Sequence, residues 1–118
     1  MVEEVNVEKT RKTEYLTHFY TLAPRPIVFA ETLHRFLEWR YGKPKEIRTG
    51  EKSEIVYNHD GTTITFGVRD TGVTSSGLET KVIVGFISSN KESFEKIISE
   101  KVWDNFNLSR APIKELKF

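Results

Sequence analysis

The chain contains no cysteine. Within these residues that removes disulfides, thiolate nucleophiles and every cysteine-based zinc site. It also fits a reducing compartment, so the expectation is a cytoplasmic protein. Long hydrophobic runs are missing too. The longest, Pro26-Ile-Val-Phe-Ala and Val82-Ile-Val-Gly-Phe-Ile, fall far short of the ~20 residues a membrane-crossing helix needs. The opening Met1-Val-Glu-Glu-Val-Asn-Val-Glu is acidic and lacks an apolar centre, so no secretory leader is expected. Nor is there an excess of one charge: 18 Lys+Arg face 17 Asp+Glu, a net +1. No global field then draws nucleic acid or anionic lipid, and any basic site must be local. Internal repeats and low-complexity segments are absent as well.

What remains is 118 residues, 37% hydrophobic and 30% charged. That is the length and composition of one globular domain. Residues 14–108 read as this domain, 1–13 as an N-terminal arm or edge strand, and 109–118 as a C-terminal tail. Between Glu14 and Leu22, aromatic and β-branched residues alternate in a strand pattern with apolar groups on both faces. Pro24 and Pro26 end that strand and suit the first turn of a helix. Phe29, Leu33, Phe36 and Leu37, flanked by Ala30 and Tyr41, form one stripe of a 3.6-residue repeat. Gly42 and Pro44 stop it, which predicts a helix over 26–41.

Ile47 to Tyr57 reads as a strand broken near Gly50-Glu-Lys. Asn58-His-Asp-Gly61 is a hairpin turn, because Asp-Gly supplies the positive φ such turns demand. Thr62 to Arg69 puts Ile64, Phe66 and Val68 on one face, and Leu78 to Ser88 is the last strand. Asp70 to Gly77 has the composition of a loop. Ser89-Asn-Lys-Glu92 has capping-box spacing, and Phe94, Ile97, Ile98 and Val102 follow at helical intervals. The order β-α-β-β-β-α predicts an α+β two-layer sandwich, an antiparallel sheet of about four strands with two helices on one face. That order is similar to small helix-grip and double-stranded-RNA-binding-like α+β domains. No signature motif of either group stands in the sequence.

Chemistry is sparse. His18, His34 and His59 lie far apart, whereas metal sites announce themselves by ligand pairs at short spacing. No nucleophile elbow surrounds Ser75 and Ser76, and no phosphate-loop spacing surrounds Gly72 and Gly77. The expectation is no catalytic residue, no cofactor and no metal. An enzyme would have to gather scattered groups such as His18, His34, Arg69 and Asp70.

The densest local signal runs from the helix end into its exit: Arg35, Trp39, Arg40, Tyr41, Lys43, Lys45 and Arg48, opposed only by Glu38 and Glu46. Cations interleaved with rings suit single-stranded nucleic acid, although cations near a helix C-terminus are also expected from its dipole. Trp39, Tyr41 and Trp103, with the tail residues Ile113, Leu116 and Phe118, read as exposed interface anchors. The first expectation is therefore a non-catalytic binding or protein-interaction module that pairs with itself or with another protein. The alternative is a nucleic-acid binder using the 35–48 patch. A composition free of Cys and rich in Lys, Glu and Ile also suits a thermophile or a virus of one.

Overall fold

A computed structural model describes residues 12–23, 26–49, 53–74 and 77–118. The N-terminal arm up to residue 11, Pro24 and the break near Gly50 fall outside them.

Strand β1 (Thr13–Ala23) leads into helix α1 (Pro26–Tyr41), with the bounds that the apolar spacing predicts. Leu33 and Leu37 on its stripe are wholly buried, and Phe29, Ala30 and Phe36 pack against the same core. The helix stops at Gly42, whose φ of 84° closes the C-terminus in the left-handed region. Its amide donates back to the Glu38 carbonyl at 2.9 Å.

Strands β2 (Glu46–Arg48), β3 (Glu54–His59), β4 (Thr62–Thr74) and β5 (Gly77–Ser88) follow as a meander. Asp60 and Gly61 turn the β3–β4 hairpin with φ of 50° and 80°, the double positive φ of a type I′ turn. Helix α2 (Lys91–Ile98) and a 3-10 helix (Lys101–Phe106) come next, then β6 (Ser109–Arg110) and β7 (Lys114–Lys117). The strands form one sheet in the order β2-β3-β4-β5-β1-β6, with β7 also paired to β1 and every pairing antiparallel. The architecture is α+β around a large antiparallel sheet.

Several expectations need correcting. The sheet has seven strands rather than about four. The stretch after Arg69 is not a free loop: β4 runs on to Thr74 and pairs with β5 down to Thr74↔Gly77, with a register shift between Asp70 and Gly72. Thr and Val there favour extended backbone, and a paired partner outweighs a composition rich in Gly and Ser. The second helix does not run through Trp103. Asn90, not Ser89, caps α2 by accepting from the Ser93 amide at 3.1 Å, and the chain re-enters a helical turn only at Lys101. The supposed tail is also part of the sheet. Thr13, Glu14, Tyr15 and Leu16 pair with Lys117, Leu116, Glu115 and Lys114, and the Thr17 hydroxyl donates to the Ala111 carbonyl at 2.8 Å.

Strand pairing sets the faces. Ile55, Phe66, Val84 and Phe19 stand in one row across β3, β4, β5 and β1, so they share a side of the sheet. On that side His34 of α1 stacks on Phe66 at 5.8 Å, Phe94 of α2 meets Tyr15 at 5.9 Å, and Trp103 packs on Phe19 and Phe86. Trp103 is thus core, not an interface anchor, at 1% exposure. The opposite row, Val56, Thr65, Gly85 and His18, lies on the other side.

Candidate functional site

The 35–48 patch does not survive as one surface. Arg35 is exposed, and Trp39 one turn on is 79% exposed. Arg40 points to Glu100, its Nη2 3.0 Å from Oε2. Tyr41 is buried with its ring 5.1 Å from that of His59, so it is no exposed anchor. Lys43 and Lys45 are exposed in the connection to β2, and the Lys45 amide bonds the Val56 carbonyl. Arg48 is exposed and forked onto Glu46 at 3.1 Å. Two of the five cations are therefore neutralised and one of the two rings is internal. Ile113, Leu116 and Phe118 are exposed, on or beside β7.

The histidines do not converge. His18 and His34 act on opposite sides of the sheet, by the row assignments above. His34 Nε2 lies 3.1 Å from Glu38 Oε1, and His59 Nε2 lies 3.4 Å from Asp60 Oδ2. No cluster of three metal-ligating side chains occurs among the described residues. Arg69, another candidate for a scattered site, is held by Glu54 at 3.2 Å. Two buried tyrosines carry the strongest electrostatic signal. Burial, reinforced by Glu38, pushes the Tyr57 hydroxyl up to about 12, and burial with Glu100 raises Tyr41 further. Both hydroxyls stay protonated at physiological pH, so neither serves as a base.

The better candidate is a groove of about 340 Å³ at the β2 end of the sheet. Ile47 pairs with Ile55, and Ile55 with Phe66, so these three share the core-facing side with Val68. They form the floor, and Thr49 and Ser53 stand at the rim. Phe66 is buried at 6% exposure, but Val68 is 39% and Ile47 66% exposed. The apolar side of the sheet thus continues past what the helices cover, and its outermost strand is only three residues long. Ile47 joins this floor only once β2 pairs with β3. The chain alone offers no signal beyond the matching parity of Ile64, Phe66 and Val68.

No helix among the described residues is long and apolar enough to cross a membrane. No protein-family model matches the chain, and no curated protein matches it in sequence.

Proposed function

We propose that this chain is a non-catalytic interaction module, a two-layer sandwich whose helix layer stops short of one sheet edge. The observation that carries this reading is the pair Ile47 and Val68, exposed among the described residues on either side of a floor of Ile55 and Phe66 beside edge strand β2. An edge strand presents unpaired backbone groups, and an apolar floor next to it accepts the side chains of an added strand. The partner in this reading is an extended polypeptide segment, with a second copy of the chain as the first case to test. Sedimentation equilibrium across a concentration series should show a dimer that Ile47→Lys with Val68→Lys converts to monomer. Both positions are exposed, so the double variant should unfold within about 0.5 kcal/mol of the parent. A dimer that survives the double variant removes the groove from the interface. A strict monomer removes self-association and leaves a foreign peptide as the partner.

One observation favours a second reading, nucleic-acid binding. Arg35, Lys43 and Lys45 form no ion pair among the described residues, and Arg35 lies one helical turn before a Trp39 that is 79% exposed. In this reading a base stacks on Trp39 while the three cations meet phosphates. Fluorescence anisotropy with single-stranded oligonucleotides should then give an affinity that falls steeply with salt, with a slope near minus two. The triple variant to alanine should abolish it. Salt-independent or absent binding discards this reading.

A further inference from the structure

On the side of the sheet opposite the helices, a cleft of about 340 Å³ opens where β6 gives way to β7 along β1. Leu16, Thr17, His18, Ala111, Pro112 and Lys114 line it. Lys114 pairs with Leu16, and Lys81 pairs with Leu22, so both lysines belong to the same side as His18. The Lys81 ammonium sits 4.5 Å from the centre of the Tyr20 ring, which in turn lies 5.5 Å from the imidazole of His18.

Two features of this cluster point to a ligand. Arg40, Arg48, Arg69, Lys91 and Arg110 each have a carboxylate within 4 Å. Lys81 and Lys114 have none among the described residues, and the His18 ring nitrogens have no hydrogen-bond partner there either. The walls, in addition, are unlike one another: charge from Lys114 and His18, with Lys81 close by over Tyr20, and apolar surface from Leu16 and Pro112. Burial and then the two lysines hold the His18 imidazole below its ordinary value, as expected for cations left without a counter-charge. The groups facing His18 are Tyr20 on its own strand, Lys81 on β5 and Lys114 on β7.

We infer that this cleft binds a small organic anion, with its charged head against His18 and Lys114 in the field of Lys81, and its apolar body against Leu16 and Pro112. It is separate from the groove beside β2 and does not depend on it. An anion there supplies the missing counter-charge, so binding takes up a proton at His18. Affinity therefore rises as pH falls through the titration of that imidazole.

The test is a titration of the whole chain with sodium benzoate and with sodium acetate, at ionic strength matched by sodium chloride. It is followed by proton–nitrogen NMR and by the pH titration of the His18 ring between pH 5 and 8. Benzoate should perturb the amides of His18, Ala111 and Lys114 and move the His18 titration upward. It should bind about tenfold more tightly than acetate, because the ring buries apolar area on the wall. Lys114→Gln should weaken benzoate by roughly fivefold, and Lys81→Gln, acting only through its field, by roughly twofold. Three results would overturn the assignment: a His18 shift no larger than chloride gives, equal affinity for benzoate and acetate, or lysine variants that bind as the parent does.

Discussion

Replacing Trp103 with alanine should lower stability by about 3–5 kcal/mol, a large part of the roughly 5–15 kcal/mol that holds a domain of this size together. The ring is 1% exposed and sits at the centre of an aromatic cluster. Phe19, Phe36 and Phe86 all meet it edge-on, with ring centres 5.4–5.5 Å away, and Phe106 lies 6.5 Å away. Its Nε1 donates to the Ile97 carbonyl at 2.9 Å, so the polar end of the indole is satisfied as well. Trp103 thereby joins α1, α2 and two central strands at one point. Truncation leaves a cavity that none of these elements can fill without parting from the others. Trp103→Phe keeps part of the packing and gives up the hydrogen bond, so it should cost less than the alanine variant. Urea denaturation followed by circular dichroism measures both, and the alanine variant should melt roughly 10–25 °C lower. A loss below about 1 kcal/mol for Trp103→Ala would show that this cluster does not organise the core.

Gly85→Ala should destabilise by about 1–3 kcal/mol through overpacking, despite adding only one methyl group. A Cβ at Gly85 would lie 2.7 Å from the Thr65 Oγ1 on the neighbouring strand. Thr65 and Gly85 are direct cross-strand partners, and the hydroxyl occupies the space that the glycine leaves open. The stiff χ1 of threonine gives that oxygen few places to go. A second change, Thr65→Ala, removes the obstacle, so the double variant should recover most of what the single variant loses. The thermodynamic cycle of the four proteins reads this directly as a favourable coupling between the two substitutions. Additive losses would mean that backbone freedom, not the close approach, explains the glycine.

The sequence reveals features whose cause is local. The α1 stripe of Leu33 and Leu37 needs only a 3.6-residue repeat, and the Asp60-Gly61 turn needs only residues that tolerate positive φ. Both can be read before any fold is known. Strands β6 and β7 cannot. Ser109-Arg110 and Lys114-Glu-Leu-Lys117 have little intrinsic preference for extended backbone, and they are strands because β1 offers them an edge. Arg110 helps hold them there, its guanidinium 4.6 Å from the Phe19 ring and Nη1 3.2 Å from the Ile98 carbonyl. The misreading of Tyr41 and Trp103 has a similar origin. Large rings near a helix end look alike in sequence whether they roof the core or face water, and only tertiary packing separates them from Trp39. The candidate sites were the least legible part. The groove at Ile47 depends on the β2–β3 register, and the cleft at His18 on β1 meeting residues nearly a hundred positions away.

That last pairing has a consequence for how the chain reaches its native state. β1 lies between β5 and the β6–β7 segment, and the Thr17–Ala111 hydrogen bond joins residues 94 apart in sequence. The β1 edge that meets β6 and β7 therefore stays without these partners while the residues between are made. It cannot be closed until residues 109–117 have left the ribosome. The β3–β4–β5 meander, built from neighbours in sequence, can assemble earlier, while β1 must be recruited across a long loop. Ribosome-bound chains halted before residue 109 should therefore expose β1 to chaperones and proteases, which the released chain hides.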